Sequence, residues 1–259
     1  MAFRSALFLM LLAAGPAAAQ TAPDRAFSYA DCMALARRDP DAALDRAMAW
    51  AALGGSAAAD HCAATALFQA GRYRLAAERF ETLGATAPRP PEDRARILDQ
   101  AAQAWVRAGD LDRALAVADT ALRLSPDDPT LLGDRAVMLA QADRYWEAVD
   151  DLNRVLDLHP GDVDALVLRA SAYRRLDALD LAADDLERAL DLEPGNLEGL
   201  LERGMVRRLN GDRAGARADW MTILRTAPET PVAVTARANL ERMDVTPPGQ
   251  DTPGKSAPR

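Results

Sequence analysis

The chain has 259 residues and a formal net charge of −8, with Lys255 its only lysine among 31 basic residues. Such an acidic balance without a basic patch excludes the usual electrostatic footprint of a nucleic-acid or anionic-membrane binder. The arginine- and alanine-rich composition points to a GC-rich bacterial genome.

Residues 1–19 read as a secretory leader. Arg4 supplies a positive start, Ala6–Ala14 an apolar run, Gly15-Pro16 a break, and Ala17-Ala18-Ala19 a small-residue cleavage site before Gln20. The run is too short to span a bilayer as a helix. No cysteine follows the cleavage site, so no lipid anchor is expected. The expectation is cleavage after Ala19 and a soluble, periplasmic mature protein; the alternative is an uncleaved anchor. Removing Arg4 leaves 30 basic against 39 acidic residues, a charge of −9.

Residues 20–56 contain an irregular helix pair. One helix is predicted over Ser28–Arg38, followed by a turn and N-cap at Asp39-Pro40-Asp41. Leu44, Ala47, Met48 and Ala51 then share one face of a second helix, which Gly54-Gly55 ends.

A fixed period governs the next stretch. Pro126, Pro160, Pro194 and Pro228 stand 34 residues apart, and a period of that size signals a repeat architecture. Small residues recur at Ala102, Ala136, Ala170 and Gly204, then at Ala114, Ala148, Ala182 and Ala216. Larger side chains follow the first set by three residues: Trp105, Leu139, Tyr173 and, out of pattern, Arg207. Ala118, Leu152, Leu186 and Trp220 come next, then Ala121, Val155, Ala189 and Ile223. Upstream, Ala64, Leu67, Gly71, Ala76, Phe80, Leu83 and Pro88 repeat the order. Spacings of three and four place these residues on one helical face. Each unit is therefore read as two antiparallel helices. Gly71, Gly109 and Gly211 mark the turn between them, with Asp143 and Asp177 at the same place. Asp128, Asp162 and Asn196 are positioned to N-cap the following unit. Pro88 to Pro126 spans 38 residues, so Arg89–Arg94 holds a four-residue insertion. It could add a loop or alter the superhelical pitch.

On these residues and this length, the stretch from Ala57 to Pro228 resembles the tetratricopeptide repeat family. The resemblance implies an all-α, right-handed α-solenoid of five repeats, over 57–90, 95–128, 129–162, 163–196 and 197–230. The pair in 20–56 would be its N-terminal cap. A helix over 231–243, with Thr230 as cap, Pro231 in its first turn and Val232, Ala236, Leu240 and Met243 on one face, would close the other end. Residues 244–259 are too rich in proline and polar residues to bury a core and are expected to be disordered.

In the family, first helices pack side by side, which would bring Cys32 near Cys62. The even count in an exported chain favours a disulfide over two buried thiols.

No Walker loop, dinucleotide fingerprint, zinc-binding pair or nucleophile elbow is found. His61 and His159 are read as structural, and Asp150-Asp151 and Asp184-Asp185 as solvated outer faces. The protein is expected to be no enzyme and to need no cofactor or metal. The resemblance implies instead a concave groove, lined by first helices, that takes another protein or peptide segment. Its candidate residues are Gln103, Arg107, Arg174, Arg175, Glu202 and Arg208. Arg107, Arg174 and Arg208 could fork onto partner carboxylates, or pair with Glu198 and Glu202 across units. Family members that clamp a C-terminal carboxylate use Lys and Asn where Asp99, Gly133 and Val167 stand here, which argues against that clamp. Trp146, at the start of a second helix, is a candidate anchor on the outer edge; the alternative is that it folds back on a neighbouring turn. A monomer is expected, with an accessory role in a secretion, pilus or polysaccharide-export machine, or small-ligand binding or enzymatic activity in the irregular N-terminal part, as the other readings.

Overall fold

The structure, a computed structural model, describes residues 27–54 and 57–245, and the described residues form thirteen helices. The expected leader, and the expected tail from residue 246 onward, lie outside them. The helices are α1 Tyr29–Ala36, α2 Pro40–Ala52, α3 Ala57–Gln69, α4 Tyr73–Thr86, α5 Pro91–Arg107, α6 Leu111–Leu124 and α7 Pro129–Gln141. They continue as α8 Tyr145–Leu158, α9 Val163–Arg175, α10 Leu179–Leu192, α11 Leu197–Leu209, α12 Arg213–Thr226 and α13 Pro231–Val245. The fold is an α-solenoid of paired antiparallel helices, with no strand among the described residues. None of these helices is long and apolar enough to cross a membrane.

The turn inside each pair follows from local chemistry. Gly71, Gly109, Asp143, Asp177 and Gly211 all take positive φ, between 58° and 85°. The next residue then donates its N–H back to a carbonyl of the outgoing helix, as in Arg72 to Leu67 at 2.9 Å and Ala178 to Tyr173 at 2.9 Å. This closes the helix end in the manner of a Schellman motif. Glycine adopts that conformation without penalty, and aspartate is among the few others that tolerate it. Between units, Asp128, Asp162 and Asn196 each accept a backbone N–H from the first turn that follows.

The small residues let the pairs close. Ala102, Ala136 and Ala170 are buried and join one continuous core that runs from Ala64 to Val206. A second cluster, centred on Trp220, joins α11 and α12 to the closing helix α13 through Ala233, Ala236, Leu240 and Met243. Gly204 is needed there: a Cβ at this position would lie 2.3 Å from Nε1 of Trp220.

The insertion becomes helix. α5 has 17 residues where α7, α9 and α11 have 13, so the four extra residues lengthen a first helix by one turn. Arg94, in that added turn, donates to the carbonyls of Gly84 (2.8 Å) and Ala85 (2.9 Å) at the end of α4. It thereby satisfies acceptors that the helix end leaves open. Along the row of first helices, α1–α3, α5–α7, α7–α9, α9–α11 and α11–α13 are packed neighbours, and α3 is joined to α5 by the His61–Gln100 hydrogen bond at 2.8 Å.

Three expectations need correction. On α2 the buried positions are Ala43 and Ala47, and Met48 is exposed, because α2 leans on α3 along its alanine edge. The closing helix continues to Val245, two residues past Met243. The aspartate pairs are not both solvated. Asp150 and Asp184 are exposed, but Asp151 and Asp185 are buried at 3 %. Each buried one accepts a two-pronged bond from an arginine of its own first helix. Arg135 reaches Asp151 at 2.7 and 2.6 Å, and Arg169 reaches Asp185 at 2.7 and 2.6 Å. Arg203 does the same to Asp219 at 3.0 and 2.7 Å. The third nitrogen of Arg135 donates to Asp119, and that of Arg169 to Asn153, both on the preceding second helix. One side chain thus joins three helices. Arg207, out of pattern by its charge, adds a second donor to Asp219 at 2.8 Å.

Candidate functional site

The concave row of α5, α7, α9 and α11 carries the groove residues, and its two halves differ. In the C-terminal half, Arg174 is engaged by Glu202, with Nε to Oε2 at 2.7 Å. Both side chains are largely buried, at 17 % and 14 % exposure. The pair joins α9 to α11, which is the pairing across units that the sequence offers as one of the two readings of Arg174. Arg175 lies over the Tyr145 ring at 5.1 Å and reaches Asp143 at 3.5 Å. Arg208 is half-buried in the last turn of α11.

The N-terminal half is more open. Gln103 is exposed and donates to Asp99 at 2.8 Å and to Asp134 at 3.0 Å, bridging α5 and α7. Asp99 itself is 9 % exposed, at the floor of the groove rather than on its wall. Burial, and then the charge and hydrogen bond of Asp134, hold its carboxyl up at about 7. Beside this pair is a pocket of about 200 Å³, with Val106, Val137 and Met138 as apolar floor and Gln103, Arg107 and Gln141 at the rim. Arg107 is exposed, stacked on the Tyr73 ring at 4.9 Å and bonded to its hydroxyl at 2.9 Å. Its guanidinium is held in place while its outer face meets solvent. Trp146 begins α8 on the outer layer and is 60 % exposed.

A third place lies at the N-terminal end, where the expected disulfide forms and the contacts of His61 were not foreseen. Cys32 and Cys62 form a disulfide that ties α1 to α3. Next to it, His61 has both ring nitrogens engaged, Nδ1 by the Tyr29 hydroxyl at 3.0 Å and Nε2 by Oε1 of Gln100 at 2.8 Å. Burial lowers the pKa of His61, the Gln100 hydrogen bond opposes this, and the charge of Arg89 lowers it further. These partners come from a cap helix, the first repeat and the far side of the insertion, so no periodic pattern reveals them. Among the described residues, no three or more His, Cys, Asp or Glu side chains converge as metal ligands.

Comparison with known proteins agrees with this architecture. Three tetratricopeptide repeat models match residues 63–129, 101–172 and 163–196. Together they span 63–196, about half of the chain. No curated protein sequence matches. Among solved structures, MamA 41-end from Desulfovibrio magneticus RS-1 superposes with a TM-score of 0.57 at 20 % identity, covering 73 % of this chain and 97 % of its own. YrrB, described as a TPR protein with an unusual peptide-binding site, superposes with a TM-score of 0.54 at 17 % identity, covering 74 % and 96 %. At such identities the likeness speaks for the fold. Sequence period, helix pairing and these matches coincide: the chain belongs to the tetratricopeptide repeat family.

Proposed function

We propose that the mature protein is a periplasmic scaffold that docks an extended segment of another protein in its concave groove, within an envelope assembly or maintenance process. The observation that carries the reading is the pocket between α5 and α7. An apolar floor with a polar rim suits a peptide side chain flanked by its backbone amides. The peptide-binding description of YrrB, on the same architecture, supports a peptide as occupant. The leader-like start of the sequence and the Cys32–Cys62 disulfide support an oxidising, exported setting. The protein supplies surface, and its mechanism is docking rather than reaction.

A second reading rests on Trp146, whose exposure makes the outer face a rival docking surface. The test is capture of partners from envelope extract by wild type, Val137→Arg and Trp146→Ala. A partner retained by Trp146→Ala and lost with Val137→Arg supports the groove. The reverse pattern moves recognition to the outer face. Recovery that neither substitution alters overturns both.

A further inference from the structure

Three departures from the 34-residue pattern meet at one place on the molecule. The cap helix α1 brings Tyr29. The disulfide fixes α1 against α3 at Cys62, next to His61. The insertion brings Arg89 just before α5 and Arg96 and Gln100 on it. Between them is a pocket of about 410 Å³ bounded by Tyr29, His61, Arg89, Asp93, Arg96 and Gln100. That volume is within the range of small-ligand sites.

The hydrogen bonds set what the pocket offers. A glutamine side-chain oxygen can only accept, so Nε2 of His61 carries its hydrogen and donates to Gln100 at 2.8 Å. Nδ1 then accepts from the Tyr29 hydroxyl at 3.0 Å. The Phe80 ring meets the imidazole edgewise at 5.4 Å and holds it. With its oxygen occupied, Gln100, which lines the pocket, keeps the two N–H groups of its amide as donors.

The charges point the same way. Arg89 and Arg96 contribute two positive groups and Asp93 one negative group, which is bonded to Arg96 at 3.3 Å. The guanidinium of Arg89 has no hydrogen-bond or ion-pair partner among the described residues. In a chain with more carboxylates than arginines, this one faces a polar pocket with its fork open. The local excess of one positive charge matches a monoanion, and the guanidinium fork matches the planar geometry of a carboxylate.

We propose that this pocket binds a carboxylate, gripped by Arg89 and Arg96 with the Gln100 amide as a further donor. Two sources carry that group: a small organic acid and the free C-terminus of a peptide. The site is separate from the groove pocket between α5 and α7, and its test does not depend on that reading.

The chain has two histidines, so their ring resonances can be followed individually by NMR. His61 reports on the pocket, and His159, exposed at the end of α8, is the internal control. The oxidised protein is titrated with succinate, with N-acetyl-Ala-Ala carrying a free carboxylate, with the same dipeptide as its amide, and with inorganic phosphate. The expected result is a saturable shift of His61 alone, with half-saturation near ~1 mM, by a carboxylate and not by the amide. Arg89→Ala, an exposed position, should raise half-saturation about tenfold or more while leaving the fold intact. A response to succinate only assigns the site to small acids, and a response to the dipeptide acid only assigns it to peptide termini. No saturable shift, equal shifts by acid and amide, an unchanged Arg89→Ala, or a response to phosphate alone would each overturn the proposal.

Discussion

Gly204 and Trp220 trade volume across the α11–α12 contact, and the trade can be reversed. The preceding two units hold Ala136 with Leu152 and Ala170 with Leu186 at these places, whereas the last unit holds Gly204 with Trp220. A methyl on Gly204 would meet three indole atoms at 2.3, 2.7 and 2.8 Å. Trp220 is fully buried and its Nε1 is bonded to the Leu201 carbonyl at 3.2 Å, so the ring has no room to yield. Gly204→Ala gains about 1 kcal/mol of helix propensity. It loses about 1–3 kcal/mol to overpacking, here at the upper end. The net is a destabilisation of about 1–2 kcal/mol. Trp220→Leu alone leaves a cavity at about 3 kcal/mol. The double substitution recreates the pairing of the neighbouring units, so the two should couple favourably by about 2 kcal/mol or more. Urea denaturation by circular dichroism, with hydrogen exchange of α11 and α12 as a local readout, gives all four corners of the cycle. A neutral Gly204→Ala, or a double variant equal to the sum of the singles, would refute the volume argument.

Three further outcomes are expected. Asp185→Ala should destabilise by about 3–5 kcal/mol, because it strands the half-buried Arg169, while Asp184→Ala next door should change stability by about 0.5 kcal/mol or less; thermal melts of the pair separate a buried clip from a solvated face. Asp99 holds its proton to about pH 7 in the folded chain against 3.8 ordinarily. The folded state therefore binds more protons than the unfolded one between those values, and this group's contribution to stability falls as pH rises from 4 to 7. Asp99→Asn should have little effect at pH 4 and be stabilising at pH 8, by on the order of 2–4 kcal/mol shared with Asp134, as melting curves at the two pH values would show. Reducing the Cys32–Cys62 bridge, which spans 30 residues, should release about 3–4 kcal/mol of restraint and speed hydrogen exchange in α1–α3 while leaving α9–α12 unchanged.

The repeat was legible because its signals are local and periodic. Prolines, small residues and turn residues recur at one spacing, and each acts within its own unit. The cysteine pairing was legible for the same reason, since neighbouring first helices have a known relation. What escaped depends on partners outside the segment that carries the signal. Asp151 and Asp185 read as surface when judged against neighbours on their own helix; their burial comes from Arg135 and Arg169, sixteen residues upstream on another helix. The recurrence of Arg135, Arg169 and Arg203 at the repeat period was a usable signal that the search for apolar positions missed. Met48 shared the predicted face of α2, yet the contact with α3 runs along alanines and turns it outward. The Tyr29–His61–Gln100 relay joins residues 32 and 39 apart, across the two breaks in the period. Nothing periodic could announce it.

The arginine that joins three helices also bears on how such a chain can lengthen. Each of Arg135 and Arg169 needs an aspartate in its own unit and an oxygen on the unit before. The unit over 129–162 supplies that oxygen, Asn153, to its successor and receives one, Asp119, from its predecessor. A tandem duplication of such a unit would leave no arginine without acceptors at either new junction. The N-terminal end lacks this property, because the extra turn of α5 and the disulfide belong to one junction only. Growth or loss of repeats by duplication is therefore expected in the half after Pro129, with the N-terminal pocket carried along unchanged.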